Sequence, residues 1–471
     1  MRKTIYLIFT ALFIFQCFCF CVGKKKERAK PEKDTVANFE QFETGKIIHP
    51  VHCKNDSTQN YAIYLPTSYK TDKKYPVIYA FDASARGVFP LKRYKDLAEK
   101  YDYILIGSNN SRNGLDPGTL NHMITILMDD TRSRLAIDPD RIYTTGFSGG
   151  GRVAATVGIE TGIIRGVISC AAGFPQIDKP IANKFDYLAF VGDEDFNYSE
   201  LTNLDKTLET TDFRHFLIVY EGKHDWAPAS IFEDAFLWCE FNAMKDKLIP
   251  INDSLIKYFL KKQELEIRQF TTKGWLNEEM NGYKKITVFL NGIFEINKFN
   301  NKINAISNQS EYKNLLVNLE QFQKQEESGQ GVYASSFSTK DYSWWSHEIT
   351  SLNSVVNFSK NHNEIKSFKR SLAYIGLMAH LNYDNAMKNG ATDQALIFLQ
   401  IKNYAQPNEP VTAYLFSSYY AKLNQTDKAL DYLQKAVNLG YDDIEKIRED
   451  GNFATLKSNP GFQKLVKNLS N

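Results

Sequence analysis

Between residues 46 and 250 short apolar runs alternate with longer stretches of helical periodicity. The runs are Tyr61–Leu65, Tyr75–Phe81, Tyr103–Ile106, Arg141–Thr145, Gly166–Ala171, Tyr187–Val191 and Phe216–Tyr220. Most are apolar at successive positions, not at every second one. Strands covered on both faces read this way, so the pattern predicts a mainly parallel sheet. Helices are predicted over Pro90–Lys100, Leu120–Leu135 and Ser230–Met244, the last with Ser230 as N-cap. Such alternation predicts an α/β domain with helices on both faces of the sheet.

After residue 250 strand-like runs become rare, and residues 251–370 read as a helical region without a recognisable motif. A loop break is predicted at Gly329-Gln330-Gly331 and Ser335-Ser336-Phe337-Ser338. From residue 371 to 471 an all-α repeat pattern takes over. Ala395 and Leu399 recur as Ala429 and Leu433, 34 positions on in each case (429 − 395, 433 − 399). Ala413, Phe416, Ser417 and Tyr420 share one predicted helix, and Ala429, Leu433 and Ala436 the next. Small residues where paired helices approach, with larger apolar residues between, suit stacked helix hairpins. The segment resembles tetratricopeptide repeats at about 376–409 and 410–443, without the Trp and Leu-Gly of the ideal pattern. A helix after Pro460 is expected to cap the stack.

The N-terminus changes the picture of where the chain works. Arg2 and Lys3 precede an apolar run from Ile5 to Val22, which ends at Gly23. Residues 1–23 read as a secretory signal peptide, and 24–45, rich in Lys and Glu with Pro31, as a solvated linker. The expected location is secreted or periplasmic. An uncleaved anchor is the alternative reading, and Cys17, Cys19 or Cys21 is a candidate for lipid attachment, although the residues before each are bulky or polar. Membrane contact is expected only through such an anchor. Cys53, Cys170 and Cys239 show no metal-ligand spacing; Cys170 reads as core, and Cys53 with Cys239 as a candidate disulfide. The 471 residues are 43% hydrophobic and 24% charged with net charge +2, as in ordinary folded proteins of two or three domains. No long basic block points to nucleic acid.

The candidate chemistry begins at Gly146-Phe147-Ser148-Gly149-Gly150. A β-type run leads into Gly-x-Ser-x-Gly and helix formers follow, the context of a nucleophile elbow. Ser148 is the candidate nucleophile. A serine hydroxyl needs a general base, and that base needs an orienting carboxylate. The run ending at Val191 is followed by Gly192-Asp193-Glu194-Asp195, and the run ending at Tyr220 by Glu221-Gly222-Lys223-His224-Asp225-Trp226. Both clusters follow predicted strand ends, where open α/β sheets place their sites. His224 is the candidate base. Asp195 is the favoured acid, because it lies far enough past its strand to turn back, and Asp193 is the runner-up. The backbone N–H of Gly149 should be one oxyanion donor, with Ala83 or Ser84 supplying the second. Asp82 stands where a His-Gly pair is usual, and the other role open to it is to brace its loop. Trp226 is expected to line the substrate pocket. Trp344 and Trp345 are a candidate sugar-stacking platform, or alternatively core.

With those residues in place, the stretch Asp140–Gly151 resembles the elbow of secreted α/β-hydrolases of the polyhydroxybutyrate-depolymerase and feruloyl-esterase type. Gly192-x-x-Asp195 and His224-x-Trp226 match that family's acid and base loops. The resemblance spans roughly residues 55–245. It implies a carboxylic-ester hydrolase acting through an acyl-enzyme, without metal or cofactor, on esters that are often polymeric or carbohydrate-linked. The repeats imply a surface for a protein partner or for the hydrolase domain itself. Two other readings stay open: an interaction protein on a degenerate hydrolase scaffold, favoured only by Asp82, and a serine peptidase using the same triad.

Overall fold

A computed structural model describes residues 39–176 and 181–469. The expected signal segment, most of the linker and Cys17, Cys19 and Cys21 lie outside the described residues. The described chain divides into two compact units, one up to residue 318 and one from residue 319 on.

The first unit holds one sheet of eight strands: β1 (Ile47–His52), β2 (Asn60–Tyr64), β3 (Tyr75–Asp82), β4 (Ile104–Ser108), β5 (Ile137–Phe147), β6 (Gly166–Cys170), β7 (Asp186–Gly192) and β8 (His215–Tyr220). Their order in space is β1-β2-β4-β3-β5-β6-β7-β8. Strands β3 to β8 are parallel, while β1 and β2 complete one edge antiparallel. Helices α1 (Val88–Tyr101), α2 (Pro117–Arg134), α3 (Gly149–Thr161), α4 (Tyr198–Leu208) and α5 (Ala229–Lys245) follow β3, β4, β5, β7 and β8, and no helix separates β6 from β7 among the described residues. Ser230, expected to cap α5, falls inside its first turn, with Pro228 at the cap.

All of β3 is buried, which explains its unbroken apolar run. Ile78 and Ala80 enter one core cluster with Leu91 of α1 and Phe232 and Phe236 of α5. Val77, Tyr79 and Phe81 enter the other with Leu127 of α2, Ala154 of α3 and Leu201 of α4. Fully burying a Val, Ile or Phe side chain contributes about 1.5–3 kcal/mol. A slip of one residue would exchange the two faces, so both clusters hold the register. Cys53 and Cys239 are free, buried and in different clusters, hence not bonded to one another.

Three sequence expectations change here. Strand β1 lies outside the predicted runs, because His49, Pro50 and His52 interrupt its pattern; an edge strand tolerates proline. Residues 39–45 are not solvated linker throughout: Phe39 and Phe42 pack against the core, and Glu40 pairs with Arg134 at 2.9 Å. The unit also does not end at 250. Helices α6 (Asp253–Lys273), α7 (Leu276–Leu290) and α8 (Asn297–Ser307) belong to it. Ile256, Phe259, Ile286, Phe289 and Phe299 from these helices join the cluster of β3 and α5. Charge assists: Glu233 of α5 receives Lys100 at 2.6 Å and Lys262 at 3.1 Å, and Asp234 receives Lys285 at 2.7 Å. Burial alone would raise the Glu233 carboxyl, but Lys100, Lys262 and the Tyr258 hydroxyl outweigh it and hold it at about 2.

The second unit is helical. It contains residues 319 onward of α9 (Ser310–Ser336), then α10 (Tyr342–Phe358), α11 (His362–Lys388), α12 (Thr392–Ala405), α13 (Pro410–Lys422), α14 (Thr426–Asn438), α15 (Ile444–Glu449) and α16 (Pro460–Leu469). Helices α11 and α12 pack together, as do α13 and α14. Ala395, Leu399, Ala429 and Leu433 are fully buried. Ser417 lies close enough to the next helix to donate to the Ala429 carbonyl at 2.6 Å. Helix α16 buries Phe462 and Leu465 and packs on α14 and α15. The expected break at Gly329–Gly331 is absent, since α9 continues to Ser336. Glycine costs a helix about 1 kcal/mol but removes no hydrogen bond, and Tyr333 and Phe337 bury beside it. Trp345 is buried against Phe337, with ring centroids 4.3 Å apart, and is core instead of an open sugar platform.

Candidate active site

The site lies where β3, β5, β7 and β8 end. Strand β5 passes through Ser148 into α3, and Ser148 sits at φ 53°, ψ −120°. Few L-residues adopt that conformation, and the surroundings enforce it. The Ser148 N–H donates to the Cys170 carbonyl at 2.9 Å. Gly150 must be glycine, because a Cβ there would stand 1.9 Å from the Phe81 carbonyl oxygen. The tight turn swings the Ser148 hydroxyl away from the strand and sets it at the N-terminus of α3.

His224 follows β8. Its Nε2 lies 3.0 Å from Ser148 Oγ, and its Nδ1 lies 2.9 and 3.0 Å from the two Asp195 carboxylate oxygens. A carboxylate accepts only, so the neutral ring carries its proton on Nδ1 and leaves Nε2 to accept from the serine. The imidazole is set between Phe196, at 4.1 Å between centroids, and Phe147, at 4.8 Å. Asp195 is fully buried while His224 remains 20% exposed, so the carboxyl group is shielded and the imidazole is reachable from solvent.

The crowded acid loop sorts by geometry. Asp195 also accepts from the Asn197 N–H at 2.8 Å, which fixes its carboxylate. Asp193 instead accepts from the Gly222 N–H at 3.1 Å, and Glu194 N–H donates to the Gly222 carbonyl at 2.9 Å. Those bonds zip the acid loop to the base loop. Asp193 therefore braces the pair of loops, and Asp195 is the carboxylate on His224.

Two expectations need correction. Trp226 does not line a pocket. It is fully buried, edge-on to Tyr94 at 6.0 Å, and its indole N–H donates to Asp82 at 3.0 Å. His224, two residues earlier, faces the site, but Trp226 turns to the core because an indole buries a large area once its N–H has an acceptor. Ser84 is not an available oxyanion donor, since its N–H is bonded to Asp82 Oδ1 at 2.9 Å. The Gly149 and Ala83 N–H groups remain. Asp82 also holds Arg86 through two contacts of 2.9 and 3.1 Å, so this buried carboxylate organises the loop after β3.

Sequence reasoning missed Phe147, Phe196 and Asn113. The two rings flank the residues it singled out, and only the fold turns them onto His224. Asn113 sits in a turn-like stretch, Asn109–Gly114, far along the chain from the elbow; the fold carries it to Gly149. Among the described residues no group of three His, Cys, Asp or Glu side chains is placed to hold a metal ion.

No family model matches the chain. Among curated proteins, a chloroplastic protein of Arabidopsis thaliana is 34% identical over 83 residues, 17% of this chain. The chain spans only 25% of that protein's length. Among solved structures, S-formylglutathione hydrolase of Staphylococcus aureus is similar at 13% identity and TM-score 0.36, over 42% of this chain and 98% of that one. A feruloyl esterase module from Clostridium thermocellum is similar at 16% identity and TM-score 0.35, over 44% and 92%. A ferulic acid esterase from Anaeromyces mucronatus is similar at 18% identity and TM-score 0.33, over 44% and 92%.

Proposed function

We propose that this chain is an exported serine esterase that hydrolyses carboxylic esters through an acyl-enzyme. The observation that carries the reading is the unbroken hydrogen-bond chain from Ser148 Oγ through His224 to Asp195, with each member placed after its own strand. His224 Nε2 takes the Ser148 proton as Oγ bonds to the ester carbonyl carbon. The carbonyl oxygen becomes an oxyanion beside the Gly149 N–H, at the positive end of α3. The buried Asp195 carboxylate stabilises the imidazolium. His224 then gives its proton to the departing alkoxide, and an alcohol leaves. Water, deprotonated by His224, attacks the acyl-serine and releases the acid, restoring the Ser148 hydroxyl.

Export rests on the charge and apolar pattern of residues 1–23. Outside the cell, carbohydrate-linked or polymeric esters are the expected substrate class, and the helical hairpins are the surface for a protein partner. The scaffold reading loses its one supporting feature, because Asp82 braces its loop. The test is Ser148→Ala against p-nitrophenyl acetate and feruloyl esters. Turnover should fall by about 10⁴-fold or more, and undiminished turnover sinks the reading.

A further inference from the structure

The loop between β4 and α2 comes to the nucleophile from another part of the chain. It is fastened to the loop after β3 by the bridge between Ser84 and Arg112 and by the Asn113 N–H donating to the Ala83 carbonyl at 2.9 Å. Its Asn113 side chain takes the place of a side chain on Gly149. A Cβ built on Gly149 would stand 1.7 Å from Asn113 Oδ1, 2.8 Å from Cγ and 3.3 Å from Nδ2. A Cβ lies about 2.5 Å from its own backbone nitrogen by standard covalent geometry. The carboxamide is thus within a few ångströms of the Gly149 N–H that faces the oxyanion.

Two further observations give this placement a purpose. The Asn113 residue is exposed, and its carboxamide, with two donors and one acceptor, makes no hydrogen bond to the described residues. The backbone of the expected oxyanion loop is left with the Ala83 N–H alone, because the Ser84 N–H is committed to Asp82. A spare carboxamide therefore stands beside the one oxyanion donor that the elbow itself supplies; its Oδ1 is nearer Gly149 than its Nδ2, and a half-turn of this unbonded group about its last torsion presents the NH2 donors instead.

We propose that the Asn113 side-chain amide contacts the substrate and donates a hydrogen bond to the oxyanion formed when Ser148 attacks. The proposal rests on the esterase reading and adds a residue that the Gly-x-Ser-x-Gly elbow does not contain. It also accounts for glycine at 149: any side chain there would evict the amide.

The experiment compares the full chain with Asn113→Ala and Asn113→Asp on p-nitrophenyl acetate and butyrate, with fluorophosphonate labelling of Ser148 alongside. Asp keeps the shape of Asn but cannot donate when ionised, so it separates donation from packing. Loss of one oxyanion donor lowers kcat by about a hundredfold in a well-ordered site. Here both variants should lose at least about tenfold in kcat with little change in KM, and Asp should be no better than Ala. An Asn113→Asp enzyme with wild-type kcat would overturn the proposal alone. A wild-type chain that neither labels nor hydrolyses either ester would overturn the esterase reading, and this proposal with it.

Discussion

The two units handle strained backbone differently. From residue 319 on, the positive-φ positions among the described residues are Gly390, Asn408, Asn424 and Gly440, all near helix ends. Glycine and asparagine enter the left-handed region at little cost, so these turns follow local preference. In the sheet unit Ala85, Ser148 and Ala171 also take positive φ, in the loops after β3, β5 and β6. Neither alanine nor serine favours such a conformation, and each instance costs of order 1–3 kcal/mol. One unit is shaped by what its residues prefer locally. The other also forces residues against preference: Asp102 and Lys247 do so at helix ends, and Ala85, Ser148 and Ala171 in the loops that follow strand ends.

That contrast can be broken or sharpened by substitution. The largest effect is expected at Asp195→Asn, which keeps the shape but leaves His224 in the wrong tautomer. Its kcat on an aryl ester should fall by about 10³- to 10⁴-fold, with the melting temperature nearly kept. Leu433→Ala tests the opposite character. It should cost about 3 kcal/mol in denaturant unfolding and leave Ser148 labelling of the folded protein intact. Glu233→Gln should cost about 2 kcal/mol, because the carboxylate holds Lys100 and Lys262. The same group has a pH signature. Its folded pKa is depressed to about 2 from an ordinary 4.5, so its stabilisation is complete above 4.5 and is lost as pH falls from 4.5 toward 2. Melting temperatures over that window should fall more steeply for wild type than for Glu233→Gln. The smallest effect is a gain. Ser148→Gly should stabilise by about 1 kcal/mol by releasing strain, whereas Asn424→Gly should change unfolding free energy by only a few tenths.

The two units also differ in what their sequences disclosed. Strands buried on both faces advertise themselves, and β3 to β8 were all legible in outline. The order serine, acid, histidine was legible because each follows a strand end. Choosing Asp195 over Asp193 rested on reach along the loop, and side-chain geometry supplies what three adjacent acids cannot. An amphipathic stripe says that a helix packs, not on what, so α6 to α8 read as a separate region although Phe259 and Phe289 complete the core beside α5. Trp226 was misplaced for a related reason: closeness to His224 along the chain fixes no direction for the side chain. Asn113 was invisible because its meaning depends on a glycine 36 positions later (149 − 113).

Asp82 ties together parts to which the esterase reading gives separate duties. One carboxylate receives the Ser84 N–H from the loop beside the oxyanion and the Trp226 indole N–H from two residues past the base. A shift of either loop is therefore passed to the other, so errors in holding the oxyanion and in aiming the imidazole would be correlated. Such a joint leaves little room for tuning one without the other. Laboratory selection for new ester preferences would then advance through the untethered rim, with position 82 the last to accept change.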